Sequence, residues 1–301
     1  MKVSHKNLFA VLAALIWGLA FSAQSYCAEK GMGAFTFNAL RALIATIVLF
    51  FVCIIFSKGT FFKQLQDKKY LSSLLAGGAV CGTILFLATN FQQSAFSSET
   101  ESGKVGFITV LYIVLVPIFS IIFKKKATPT VWISVVIAII GMYFLCIEKG
   151  SGFNINYHDL LALVCAILFS FHILFIDKFA VKVNGIHLSF VQFAVVTVLS
   201  GTCALFTETI SPQLIVSCFW QIAYVGVFSS GVAYTLQIIA QKNSNPTVIS
   251  LLLSLESVFA VLGGAIILGE VMSIREYIGC AIMFCAVILA QLPERKKKNE
   301  A

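Results

Sequence analysis

Charge is what this sequence has least of. Its 301 residues are 59% hydrophobic and only 11% charged, with a mean hydropathy of +0.96. Soluble chains carry about 25% charged residues, because water must be faced somewhere. Length alone would suggest two soluble domains, but there are too few charges to cover them. A soluble enzyme, a disordered protein and a nucleic-acid-binding domain are excluded together. The nine cysteines include no CxxC pair and lie mainly in apolar stretches, where cysteine behaves as a small hydrophobe. Neither a disulfide framework nor a zinc site is expected. HExxH, the phosphate-cradling P-loop and GxSxG are also absent, so the chain is expected to be no enzyme and to need no cofactor.

What fills the chain instead is long apolar runs. A helix needs about 20 mostly apolar residues to cross a bilayer. Ten such runs occur, at 8–27, 35–56, 71–93, 105–123, 131–147, 160–176, 188–207, 218–240, 247–269 and 274–291. The first, flanked by Lys2 and Lys6, has the position of a signal peptide, with Ser22-Ala23-Gln24 as a poor cleavage site. Trp17 and Gln24 fit that reading badly, and it is read as a retained span.

The net charge of +8 is carried in short basic runs between the spans, the pattern of cytoplasmic loops rather than of a nucleic-acid surface. With ten spans the termini share a side. Sixteen of the twenty-one Lys and Arg fall on that side, including Lys63, Lys68 and Lys69, Lys124-Lys125-Lys126, Lys182 and the Arg295–Lys298 tail. Four fall on the other, Lys30, Lys104, Lys149 and Arg275, and Arg41 lies within a span. Both termini are therefore expected in the cytoplasm, with the chain multi-pass in the plasma membrane.

The chain divides near the Glu148-Lys149-Gly150-Ser151-Gly152 stretch, giving two repeats, 1–150 with spans 1–5 and 151–301 with spans 6–10 and a short basic tail. An odd number of spans per half inserts the second half upside down relative to the first. Ile139-Ile140-Gly141 late in one half echoes Ile278-Gly279-Cys280 in the other. The expected fold is thus all-α: a polytopic membrane protein of ten transmembrane helices in two inverted five-helix repeats. Such halves are typical of secondary transporters, where their exchange of conformation opens one site to each side in turn. A bundle duplicated merely for assembly is the bland alternative.

A family comes into view at this point. The run Gly103-Lys104-Val105-Gly106-Phe107-Ile108-Thr109-Val110-Leu111-Tyr112-Ile113-Val114-Leu115-Val116-Pro117 closely resembles the fourth span of EamA-type members of the drug/metabolite transporter superfamily. Phe91-Gln92-Gln93 looks like the end of their third span, Ala14-Leu15-Ile16-Trp17-Gly18 like their first-span WG signature, and Asn38-Ala39-Leu40-Arg41 like their second-span arginine. Leu253-Ser254-Leu255-Glu256, followed by Leu268-Gly269-Glu270, resembles their ninth span and its GE ending. The resemblance covers essentially the whole chain, in order. Two departures stand out: Ser257 occupies a place where many members have proline, and the first half lacks a GE, running instead from Pro117 to Lys124-Lys125-Lys126. The resemblance implies ten helices and alternating access; it names no substrate, since the superfamily moves many metabolites.

Only Arg41 and Glu256 are charged well inside spans. Each costs roughly 2.5–3.5 kcal/mol at a helix centre and so needs a partner, a wet cavity or both. Either they pair and fix packing, or one meets a charged solute group or a coupling proton; for Arg41, anchoring near the outer surface is the further alternative. Span 4 is neutral around Tyr112, so Glu256 alone favours a solute with a cationic group, or a coupling proton, over a dianion. Thr83, Phe86, Asn90 and Gln93 form a stripe at helical spacing in span 3, and Ser230, Tyr234, Gln237 and Gln241 form one in span 8. These stripes either bond neighbouring helices or line a solute cavity. Trp17, Phe21 and Gln24 share a face of span 1; Trp17 is read as packing or as substrate contact, and Gln24 as a cavity-lining candidate. Tyr112 precedes Pro117, which frees a carbonyl and permits a gate-like kink. His172, the only histidine within a span, either hydrogen-bonds a neighbour or carries a proton. Gly78/Gly82 and Gly263-Gly264 suggest close helix contacts. Spans 5 and 10 carry few polar groups and are expected at the periphery.

The function this favours is secondary transport of a small organic solute, such as a metabolite, amino acid or drug-like compound, by alternating access. The bilayer and a small-molecule substrate are the expected partners, with a coupling proton or an exchanged solute as co-reactant. A structural or lipid-scrambling protein is the alternative class. An intramembrane enzyme is disfavoured, because one His, one Glu and one Arg are dispersed over three spans. The oligomeric state stays open.

Overall fold

The computed structural model describes residues 5–56, 60–96, 102–122, 127–146, 156–263 and 272–292. The repeat boundary at Glu148–Gly152, the Lys124–Lys126 run, Gly264, the Gly269-Glu270 ending and the basic tail lie outside the described residues. Among the described residues the chain is all helix, with no strand. Its elements are α1 (His5–Glu29), α2 (Ala34–Phe56), a short α3 (Thr60–Gln66), α4 (Lys68–Ala95), α5 (Ser102–Val110), α6 (Tyr112–Ser120), α7 (Pro129–Cys146), α8 (Tyr157–Ala180) and α9 (Gly185–Thr207). After these come α10 (Pro212–Ser217), α11 (Phe219–Tyr224), a π-helix (Val225–Ala233), α12 (Tyr234–Gln241), α13 (Pro246–Leu253), α14 (Glu256–Gly263) and α15 (Ile274–Ala290).

Among the described residues, seven helical stretches are long and apolar enough to cross a membrane: α1, α2, α4, α8, α9, Phe219–Gln241 and Pro246–Gly263. Shorter apolar helices occupy Val105–Ser120 and Pro129–Leu145, and α15 fills the place of the tenth predicted span. Local chemistry sets the starts. Asp67 caps α4 through Lys69 N and Tyr70 N, Asn156 with Asp159 and Ser273 with Glu276 form capping boxes, and Ser211-Pro212 and Asn245-Pro246 open α10 and α13. Each satisfies N–H groups that a helix start leaves free.

Three predicted spans are not continuous α-helices. Span 4 breaks at Leu111, whose N–H reaches only three residues back to Ile108 O (3.2 Å). The break therefore precedes Pro117 rather than sitting at it, because Pro117 lies inside α6. Span 9 breaks at Ser254-Leu255, where the Ser250 and Ser254 hydroxyls donate to Thr247 O and Leu251 O, both at 2.8 Å. Such serine bonds compete with the helix's own ladder. Span 8 widens into the π-helix along Val225–Ala233, in a glycine- and serine-rich stretch, and π segments frequently mark functional sites.

Packing is dominated by α2 on α9, α7 on α15, α4 on α8 and α9, and α1 on α14. At the α7–α15 crossing, a Cβ on Gly141 would meet Gly279 O at 3.1 Å, and one on Gly279 would meet Gly141 O at 2.8 Å. Where α2 meets α9, the Thr46 and Thr197 hydroxyls hydrogen-bond at 3.2 Å. A Cβ on Gly82 would lie 2.8 Å from Gln192 O, and one on Gly226 would lie 3.1 Å from Arg41 O. Helix ends also sort into two faces. Lys6 donates to Lys242 O, Asn7 to Gln291, and Asn184 N to the Tyr70 hydroxyl at one face. At the other, Glu208 takes hydrogen bonds from Phe35 N (2.9 Å), Thr36 N (2.8 Å) and the Thr36 hydroxyl (2.7 Å), and Arg275 donates to Phe144 O.

Candidate functional site

Where these interrupted helices meet, side chains from α1, α2, α4, α6, α8, the π-helix, α12, α13 and α14 surround a cavity. Gly18 brings α1 close enough to build it: a Cβ there would sit 2.6 Å from Glu256 O and 2.7 Å from Ala260 N. Only glycine permits that approach, and it carries the adjacent Trp17 onto the cavity wall. The Trp17 indole donates to Ser229 O at 3.3 Å, and its ring lies 4.7 Å from that of Tyr234. The π-helix thus supplies a backbone acceptor that anchors an aromatic of another helix.

Glu256 and Tyr112 are the first residues of α14 and α6, each immediately after a helix break. The Tyr112 hydroxyl donates to Glu256 Oε1 at 3.0 Å, so one hydrogen bond ties the two interruptions together. Glu256 is 5% exposed and Arg41 3%, and both line the cavity. Among the described residues no ion pair joins them. The Arg41 guanidinium lies 5.8 Å from the Phe37 ring centre.

Of the residues singled out from sequence, the cavity brings together Trp17, Gln24, Arg41, Tyr112, Tyr234, Gln237 and Glu256. Asn90, Gln93 and His172 do not line it. Asn90 accepts from Asn38 Nδ2 (3.0 Å) and donates to the Ser200 hydroxyl (3.1 Å), binding α4 to α2 and α9. Gln93 donates to Gln24 O at 3.1 Å. Span 3 therefore does not turn its stripe to the cavity, whereas span 8 turns Tyr234 and Gln237 to it; the contribution of span 3 is Gln92, one residue along. His172 is fully buried against Gln192, Nε2 to Oε1 3.2 Å. The residues that sequence reasoning left off the wall are Phe21, Gln92, Phe169, Ile173, Ser229 and Leu253. Phe21 shared the Trp17 face, and Gln92 adjoined a recognised motif. The apolar ones carried no signal that separates wall from core.

Comparison with known proteins accounts for this architecture. The EamA-like transporter family matches residues 6–147 and, a second time, residues 156–292. The chain belongs to the EamA-like transporter family. An uncharacterized transporter of Archaeoglobus fulgidus is 33% identical over 97% of this chain and 87% of its own. The uncharacterized transporter YwfM of Bacillus subtilis is 25% identical over 99% of this chain and 98% of its own. A protein crystal structure, 19% identical and covering 96% of this chain and 97% of its own, superposes with a TM-score of 0.77, a likeness of fold. In this EamA chain the residues of the WG signature, the second-span arginine and the ninth-span glutamate all converge on the one cavity.

Proposed function

We propose that the chain is a secondary transporter that carries a small organic solute across the cytoplasmic membrane by alternating access, with no ATPase of its own. The observation that carries this reading is a cavity at the meeting of helices from both halves, lined by Arg41 and Glu256, with no ion pair between them among the described residues, and by the breaks of α5/α6 and α13/α14. Discontinuous helices around a midplane site are what alternating access uses elsewhere. The mutual approach of Gly141 and Gly279, the Thr46–Thr197 bond and the matching Gly82 and Gly226 contacts support two inverted five-helix repeats, residues 1–150 and 151–301, related by an axis through α2 and α9. On the basic-loop count both termini face the cytoplasm. Trp17, Gln24, Arg41, Tyr112, Tyr234, Gln237 and Glu256 are the proposed solute-facing residues, with a proton or a second solute as coupling partner.

Counterflow in proteoliposomes tests this. Vesicles preloaded with the right unlabelled solute should accumulate its labelled form transiently, without ATP. A purified, folded protein that exchanges no member of a broad metabolite panel, yet equilibrates labelled phospholipid between leaflets, would move the assignment to lipid scrambling.

A further inference from the structure

We propose that the rim formed by α3, the start of α4 and the end of α8 binds the phosphodiester headgroup of an anionic phospholipid in the cytoplasmic leaflet. This surface lies away from the cavity and the proposal goes beyond transport; only the choice of leaflet rests on the basic-loop count. Five exposed lysines stand on these segments: Lys63 on α3, Lys68 and Lys69 opening α4, and Lys178 and Lys182 at the end of α8. The two groups are far apart in sequence, and packing brings their segments together. Leu65 and Tyr70 pack on the cluster that contains Phe179, Val183 and Leu188. The Phe61 ring lies 4.7 Å from that of His187. The Tyr70 hydroxyl accepts from Asn184 N at 3.1 Å and hydrogen-bonds His187 Nδ1 at 2.8 Å. α3 is thereby strapped to the turn between α8 and α9.

What the rim lacks is negative charge. Among the described residues none of the five lysines is ion-paired. The carboxylates on the same segments do not face them as free partners: Asp67 is spent capping α4 through Lys69 N and Tyr70 N, and Asp177 is buried. Lys178 and Lys182 are held in place, their ammonium groups 5.9 Å and 5.7 Å from the ring centres of Phe175 and Phe179. Side chains already placed on the rim lose less freedom when an anion binds. Beside the lysines, Ile55, Phe56 and Phe62 are exposed and apolar, so the occupant that matches the whole surface has acyl chains as well as an anionic head. A soluble anion would match the charge alone. The apolar exposure does not by itself call for lysine, as α10 shows. That short helix also joins two long ones, and Val216, Phe219 and Trp220 are exposed around it, yet no Lys or Arg occurs from Val183 to Gln241.

The test uses the purified full chain in a non-ionic detergent, read by native mass spectrometry and by thermal unfolding. The probes are phosphatidylglycerol, cardiolipin, phosphatidylcholine, inorganic phosphate and a soluble polyglutamate. The two anionic lipids should be retained on the protein and raise its Tm, and the effect should fade as salt is added. Phosphatidylcholine, phosphate and polyglutamate should do neither. Lys178→Gln with Lys182→Gln, and separately Lys63→Gln with Lys68→Gln and Lys69→Gln, should each weaken anionic-lipid binding about tenfold or more. Lys178→Arg with Lys182→Arg, which keeps the charge, should restore it and so separates loss of the headgroup contact from damage to the fold. Lys242→Gln removes an exposed lysine of the same membrane side away from this rim, and binding should stay at the wild-type level. Equal binding of phosphatidylcholine, protection by phosphate or polyglutamate as strong as by lipid, wild-type binding in both rim variants, or an equal loss in Lys242→Gln would overturn the proposal. None of these outcomes bears on counterflow, so the transporter reading stands or falls separately.

Discussion

Replacing Asn90 by leucine removes an amide shared by three helices. Asn90 accepts from Asn38 on α2 at 3.0 Å, donates to Ser200 on α9 at 3.1 Å, and donates to Phe86 O within α4 at 2.7 Å. Leucine has similar bulk but none of these bonds. Interhelical hydrogen bonds inside membranes contribute about 0.6 kcal/mol on average and up to about 1.7. Two are lost, so the expected destabilisation is about 1–3 kcal/mol. Asn38 keeps its bond to Thr89 O at 3.1 Å, which limits the loss. Unfolding in mixed micelles titrated with sodium dodecyl sulfate and followed by tryptophan fluorescence would read it, and the folded fraction should bind solute as the wild type does. Gln237→Leu should behave in the opposite way. Its Oε1 has no partner to lose, so stability should hold within about 0.5 kcal/mol while solute binding weakens. If Asn90→Leu unfolds like the wild type but loses solute binding, the assignment of Asn90 to helix packing is wrong.

Gly18→Leu should collapse the yield of folded protein, because α14 backbone lies within 2.7 Å of the added Cβ; Gly201→Ala, with nothing within 4 Å, should instead stabilise by about 0.8–1.0 kcal/mol in the same unfolding assay. Glu208→Gln should cost about 1–2 kcal/mol, because a carboxylate binding the start of α2 makes charge-assisted bonds, and amide exchange at Phe35 and Thr36 should accelerate in the variant; unchanged exchange would remove Glu208 from that role. Single cysteines replacing Lys30 and Lys182 should separate by sidedness, with an impermeant maleimide added outside cells labelling the first and sparing the second. Labelling of the Lys182 probe would reverse the topology.

Much of the fold was legible because bilayer thickness turns hydropathy into helix length. Helix interruptions were not. The break at Leu111 lies in an apolar run that composition cannot distinguish from continuous helix, and Pro117 drew attention to the wrong turn. At the site, Arg41 and Glu256 were visible because charge in a span is costly. Which amides face the cavity was not, because Gln92 and Gln93 are equally polar and only the rotation of α4 against α9 separates them. That rotation is set by long-range contacts such as Gly78 against Val191 and Gly82 against Val195, which a single sequence does not pair.

Alternating access is tested most directly by the reactivity of one cavity position from both sides. A single cysteine in place of Ser229, in an otherwise cysteine-free chain, would be exposed to an impermeant maleimide in right-side-out and in inside-out vesicles. The expected result is alkylation from either face, slowed by the transported solute in both. Reaction from one face only, unaffected by solute, would contradict a cavity that opens to each side in turn.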